Sequence, residues 1–299
     1  MKSPVGVARA GGARRADAPR VVDVDAGGVG LSAIWAPAAG RVAPRCTVLA
    51  VHGRGMRAAY WNSFLDLATA QGHAVLAVDR PGYGASAQAF PEGLPLAEQA
   101  EVVHAVVKEH ARTHDIGAGV FLLGHSDGGK AALHTAAGDR GDVPLLGLDT
   151  SGTGYHYDPG ALHFPSTLGG GASRLNWGPL HLYPPGTFQA SRALLCETPV
   201  RESGETAWWP VQYEELAPRV RLPVRFTFAE HEAWWRRDEE TLGAMASLLG
   251  AAPSVTVEHL RAAGHNVSLG RTAAVYHLRV LAFVEECLVS APAAGVASD

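Results

Sequence analysis

Cysteine is scarce in this chain of 299 residues: Cys46, Cys196 and Cys287 are the only three. They are odd in number and far apart, with no C-x-x-C pair. That excludes a disulfide framework or a cysteine-based zinc site and fits reduced thiols in a cytoplasmic protein. Charged residues are also few, at 18% of the chain, below the usual quarter. With a formal net charge of −4 there is no basic excess to suit nucleic acid. Nowhere do enough apolar residues run together to cross a membrane as a helix. Residues 1–20 carry Lys2, Arg9, Arg14, Arg15 and Arg20 but no apolar stretch, unlike a secretory signal. His156, His163 and His181 lack helical i,i+4 spacing and form no H-E-x-x-H, so no metal site is expected.

Apolar residues and glycine are abundant: 47% of the chain is hydrophobic and 35 residues are glycine. A core of substantial size is therefore possible. Short β-branched runs alternate with longer helical patterns. Val21–Val24 and Leu31–Trp35 predict an opening hairpin around Gly27-Gly28. Further strands are predicted at Cys46–Val51, Ala74–Val78, Val120–Leu123, Leu145–Asp149, Val224–Phe228 and Ser254–Leu260. Helices fit about 97–113, from the serine turn to about Ala137, and about 236–249. A closing helix would carry Val275, Leu278, Leu281 and Val284 on its buried stripe. Continuous apolar strands alternating with helices predict a mostly parallel sheet covered on both faces. Between 155 and 219 this rhythm breaks into a stretch rich in Gly, Pro and aromatics. That stretch is expected to be a lid inserted into a core formed by 20–154 and 220–288, with low-complexity tails at 1–19 and 289–299.

The chemistry concentrates at Gly124-His125-Ser126-Asp127-Gly128-Gly129, which joins an apolar strand to a helix-forming stretch. Glycine on either side of the serine removes the β-carbons that would clash in a pinched turn, and such a turn pushes a hydroxyl out to where a base can reach it. Two later loops add suitable partners: Ala229-Glu230-His231-Glu232 after one predicted strand, and Ala263-Gly264-His265-Asn266 after the next.

The order serine, acid, histidine, each in a loop after a strand, resembles the α/β-hydrolase family over about residues 20–288. The resemblance implies an α/β-hydrolase fold and a serine esterase or thioesterase acting on a small molecule, with no cofactor. It implies Ser126 as nucleophile, His265 as base and Glu232 as the acid that orients it, with Glu230 and Asp149 as alternative acids. The oxyanion hole would be formed by the backbone amides of Asp127 and of Arg54, with Gly55 as the alternative to Arg54, both in the turn His52-Gly53-Arg54-Gly55-Met56. The Arg54 side chain itself is read as a surface arginine, with contact to an anionic group of the substrate as the alternative. Five of the seven tryptophans fall between 177 and 235. Trp177, Trp208, Trp209 and Trp234, together with Gly53 and Gly55, are the expected substrate contacts, which suits an apolar or aromatic group. Relatives of dehalogenase or epoxide-hydrolase type are excluded, because they carry aspartate where Ser126 stands. Acyl transfer or cyclisation by the same triad, and a non-catalytic binding role, remain open alternatives.

Overall fold

The computed structural model describes residues 18–40, 43–162 and 174–290. His163 and most of the two expected tails (1–17 and 291–299) lie outside the described residues.

Eight strands form one sheet in the order β1-β2-β4-β3-β5-β6-β7-β8. β1 (Arg20–Asp25) and β2 (Gly30–Ala36) make the antiparallel opening hairpin, and β2 also runs antiparallel to β4 (Ala74–Val78). From β4 onward every pairing is parallel, through β3 (Thr47–Val51), β5 (Val120–His125), β6 (Leu145–Ser151), β7 (Val224–His231) and β8 (Val255–Gly264). The last two strands are longer than their apolar runs predict, so Glu230 and His231 belong to β7.

The strand runs are uniformly apolar because both sides of the sheet are covered. Within β3, Leu49 and Val51 join one core cluster while Val48 and Ala50 join the other. β5 divides in the same way, with Val120 and Leu122 on one side and Phe121 and Leu123 on the other. Side chains alternate across a strand, so a strand buried on both faces shows no polar positions. Helix α2 (Leu96–Thr113) and helix α3 (Asp127–Ala137) cover the first face, through Val103, Val106, Ala131 and Leu133. Helix α1 (Asn62–Ala70) covers the second face, together with the closing helix over 273–290, through Phe64, Leu65, Val280 and Val284.

The closing helix corrects one expectation. Val275 and Leu278 are exposed, and Tyr276, Val280, Phe283, Val284 and Cys287 form the buried stripe beside Leu281. Tyr276 and His277 are drawn inward because their polar tips find buried partners, Asp149 for the tyrosine hydroxyl and Ser268 for the imidazole. An apolar body with one satisfied polar tip competes well with an aliphatic side chain for core space.

The segment over 155–219 consists of short helical pieces. Among the described residues these include α4 (Pro159–Leu162), α5 (Thr187–Ser191), α6 (Val200–Ser203) and α7 (Trp209–Leu216), with a further helical turn over 174–177. Regular structure resumes with β7, then α8 (Glu239–Ser247), capped by the Asp238 carboxylate accepting from the Thr241 amide, then β8 and the closing helix α9 (Ala273–Ser290).

Six of the described histidines are buried: His52, His73, His110, His125, His265 and His277. Burial pushes His110 and His277 down to about 4 and holds His52 and His125 well below their ordinary value of 6.5. Below that ordinary value the unfolded chain takes up protons that the folded chain refuses. Stability is therefore full above pH 6.5 and falls as the pH drops toward 4. Each of His52, His110, His125 and His277 contributes a slope of up to about 1.4 kcal/mol per pH unit. Urea midpoints measured from pH 7.5 to 4.5 should fall steadily below about pH 6.5; a flat profile over that range would contradict neutral burial of these rings.

Candidate active site

Strand β5 ends in the serine turn. Ser126 has φ 53 and ψ −123, a conformation L-residues seldom adopt, and it immediately precedes α3. Glycine at the flanks is required by close backbone approach. A β-carbon on Gly124 would lie 2.5 Å from the Gly129 α-carbon, and one on Gly128 would meet the carbonyl oxygens of Val51 and His52. The strained residue is tied down from both sides. Its amide donates to the Ser151 carbonyl at 2.8 Å, and its carbonyl accepts from the Thr153 hydroxyl at 2.8 Å.

Strands β7 and β8 bring the other two side chains to the same rim. His265 Nε2 lies 3.0 Å from Ser126 Oγ, and His265 Nδ1 lies 2.8 Å from Glu232 Oε2. The second oxygen of Glu232 accepts the amides of Ala233 and Trp234, each at 3.0 Å, so the turn after β7 clamps the carboxylate. Burial would raise the pKa of Glu232, but the facing imidazole and these amides outweigh it, and the group is held below the ordinary carboxylate value. The ring of His265 passes close to Gly152, where a β-carbon would sit 2.7 Å from its Cε1.

The alternative acids lie elsewhere. Asp149 is fully buried and accepts from Arg225 Nε at 2.5 Å and from the Tyr276 hydroxyl at 3.0 Å. Exposed Glu230 accepts the Ala262 amide at 2.6 Å. Of the three carboxylates, Glu232 is the one paired with His265.

A cavity of about 680 Å³ opens onto Ser126 and His265. Gly53, Arg54, Gly55 and Asp127 line one side. Trp177 and Trp234 line it as expected, joined by Trp235, which the sequence reading left outside the site. Two of the expected contacts do not reach the cavity. Trp208 is 65% exposed on the outer surface, and Trp209 is fully buried, donating from its indole to the Gly154 carbonyl. They are adjacent at the start of α7, where helical geometry turns neighbours about 100° apart, one outward and one into the core.

The Arg54 side chain is not the surface group expected from the sequence. Its Nε donates to Asp127 Oδ2 at 2.5 Å, and its Nη2 lies 3.4 Å from the Glu202 carbonyl. Asp127 Oδ1 meets Lys130 Nζ at 2.7 Å, one helical turn on. Lys130 is buried, donates to the Tyr157 hydroxyl, and sits over the rings of Tyr157, Trp209 and Trp235 at 5.2, 5.2 and 5.3 Å. Burial opposes ionisation of Asp127, but Arg54 and Lys130 overcome it, and its pKa is strongly lowered. Beyond Arg54, the buried Glu202 forms a two-pronged pair with Arg80 at 2.7 and 3.0 Å. It also accepts from the Tyr83 hydroxyl and the Gln99 amide. The only local signal for any of this was the i,i+3 spacing of Asp127 and Lys130. Glu202 lies 122 residues from Arg80, and no sequence pattern announced the pair.

His52 and His125 brace the site. His52 Nε2 accepts the Arg80 amide at 3.1 Å, and His125 stacks on Tyr60 and lies 4.9 Å, ring to ring, from His265. Among the described residues no cluster of His, Cys, Asp or Glu is arranged to hold a metal, and no helix is long and apolar enough to cross a membrane.

The sequence model of the alpha/beta hydrolase family matches residues 48–278. No curated protein sequence matches the chain. Solved structures share its architecture. A thermostable carboxyl esterase from Bacillus coagulans is similar with a TM-score of 0.66 at 17% identity, covering 91% of this chain and 98% of its own. A monoglyceride lipase from Saccharomyces cerevisiae gives 0.66 at 13% identity, over 90% and 96%. A thioesterase domain of the curacin biosynthetic pathway gives 0.60 at 16% identity, over 88% and 99%.

The Arg80–Glu202 pair anchors the segment over 155–219 to the loop after β4. Arg80→Met should destabilise the protein by about 3–5 kcal/mol, because it leaves a buried carboxylate short of its main counter-charge. The double change Arg80→Met with Glu202→Leu should cost clearly less. Equal losses in chemical denaturation would show that the pair acts through packing and not through charge.

Proposed function

This chain belongs to the alpha/beta hydrolase family, and we propose that it is a serine hydrolase that cleaves an ester, thioester or lactone of an apolar or aromatic small molecule. The observation that carries this reading is the continuous hydrogen-bonded series Ser126–His265–Glu232 opening onto a cavity of about 680 Å³.

In the proposed reaction His265 Nε2 accepts the Ser126 proton as Oγ attacks the acyl carbon. The carbonyl oxygen becomes negative and is met by the backbone N–H groups of Arg54 and Asp127. Asp127 occupies the first position of α3, where helix amides lack intrahelical acceptors and the helix dipole is positive. The bond from the acyl carbon to the leaving oxygen or sulfur then breaks, and that atom takes the proton from His265. Water, deprotonated by His265, attacks the acyl-serine, releases the acid and returns the proton to Ser126. Glu232 is the positioning residue: it fixes the imidazole tautomer and stabilises the imidazolium formed in each half-reaction. Trp177, Trp234 and Trp235 give the cavity apolar walls suited to a ring or alkyl group. The same triad would also serve a second reading: transfer of the acyl group to an alcohol, amine or internal hydroxyl.

A panel of chromogenic esters and thioesters, varied in chain length and ring content, tests the reading. Ser126→Ala should lower kcat at least about a thousandfold, and Glu232→Gln by a comparable factor. Glu230→Gln should stay within about threefold of wild type, because that carboxylate is solvated and bonded to a distant amide. Wild-type protein that is folded but inert to the panel and unlabelled at Ser126 by an organophosphonate would overturn the proposal. So would a Ser126→Ala enzyme within tenfold of wild-type activity. Product ratios with and without an added alcohol acceptor separate hydrolysis from acyl transfer.

A further inference from the structure

The charged side chains behind Ser126 do not balance. From the cavity inward, Lys130, Asp127, Arg54, Glu202 and Arg80 form one contiguous series of ion pairs, with neighbouring contacts of 2.7, 2.5, 3.9 and 2.7 Å. Three members are cations and two are carboxylates. Of the described charged residues lining the cavity itself, Arg54 and Lys130 are positive and Asp127 alone is negative. Glu232, on the opposite side, is committed to His265 and two backbone amides. Buried charges are normally matched one for one, because an unpaired ion in a poorly solvated site costs several kcal/mol.

The unmatched charge has a specific outlet. Lys130 is enclosed by Asp127 and the rings of Tyr157, Trp209 and Trp235 and retains 1% exposure. Arg80 is similarly sealed, with Glu202 and Gln99 as acceptors. Arg54 is the cation of the series with a side chain open to the cavity, at 22% exposure. Its Nε is taken by Asp127 and one Nη2 hydrogen reaches toward the Glu202 carbonyl, while Nη1 has no acceptor among the described residues. A guanidinium fixed at Nε with free terminal hydrogens is a preformed fork for a planar anion. Burial weakens the charge of Arg54, but Asp127 and Glu202 more than restore it, so the group stays protonated at any working pH.

We propose that the substrate carries a carboxylate, held by the Arg54 guanidinium beside Ser126, with the apolar remainder of the molecule against Trp177, Trp234 and Trp235. The proposal rests on the serine-hydrolase reading and names the substrate class for that site. A single negative charge completes the series, which favours a carboxylate over a dianionic phosphate.

The test compares matched ester pairs on the full-length protein. In one arm the charge is on the acyl side: the mono-4-nitrophenyl ester of glutaric acid against 4-nitrophenyl valerate. In the other it is on the leaving group: 3-carboxyphenyl butyrate against phenyl butyrate. Wild-type enzyme should prefer the charged member of at least one pair by about ten- to a hundredfold in kcat/KM, the value of one charge-assisted hydrogen bond pair. Arg54→Gln should erase that preference, and Arg54→Lys should retain part of it. Taking the ratio within each variant cancels any general damage from loosening Asp127. Equal use of both members by wild type, or preference for the neutral ester in both arms, overturns the carboxylate proposal while leaving the hydrolase reading intact. Absence of turnover on all four esters, with Ser126 unlabelled, removes the hydrolase reading itself. A preference that survives Arg54→Gln unchanged sinks the assignment to Arg54.

Discussion

One backbone conformation sets the rest of the site. With Ser126 held at positive φ between β5 and α3, the hydroxyl stands clear of both elements and the following amide points along the start of a helix. Everything nearby accommodates that turn. Gly124 and Gly128 yield the space, the Ser151 carbonyl and Thr153 hydroxyl hold the peptide groups, and β6 is placed beside β5 to supply both. A strained residue of this kind persists where its surroundings over-determine it. Here the surroundings are the parallel sheet itself, whose strand ends converge on one rim.

The sheet, the hairpin and the pairing of Ser126 with His265 were legible in the sequence because each rests on a local pattern. Uniform apolar runs mark strands covered on both faces, and a glycine-flanked serine marks a pinched turn. What depended on distant partners was not legible. Arg54 looked like a surface residue because the carboxylate that draws it in is 73 positions away, and Glu202 had no local signature at all. Trp208 and Trp209 were grouped with the cavity aromatics on sequence proximity, yet one helix step separates solvent from core. Asp149 and Glu230 could not be set apart from Glu232 by spacing. The difference is that Arg225 and Tyr276 occupy the first and a backbone amide the second.

The same fold contains a second nucleophile–imidazole–carboxylate sequence, and the comparison is instructive. Cys46 Sγ lies 3.3 Å from His73 Nδ1, and His73 Nε2 lies 3.0 Å from Glu285 Oε1. Connectivity alone would make this a match for the serine site. But Cys46 is fully enclosed in the core, and burial first, with the Glu285 charge adding to it, pushes its thiol up to about 12. No substrate can reach it and little thiolate forms at neutral pH, so it behaves as a packed core residue. What distinguishes the serine site is the cavity and the strained turn beside it.

The three side chains at the rim come from strands laid down far apart in the chain: Ser126 and His265 are separated by 139 residues and His265 and Glu232 by 33. Contacts of such sequence separation carry an entropic cost of loop closure that must be met before the contact is made. β8 is also the edge strand of the sheet, added outside β7. During synthesis, a chain that had already folded through β6 would hold the serine in place with no base beside it. In the proposed reaction the serine gains its base only when the final edge strand docks, so completion of the sheet and the onset of that reaction would be one and the same event.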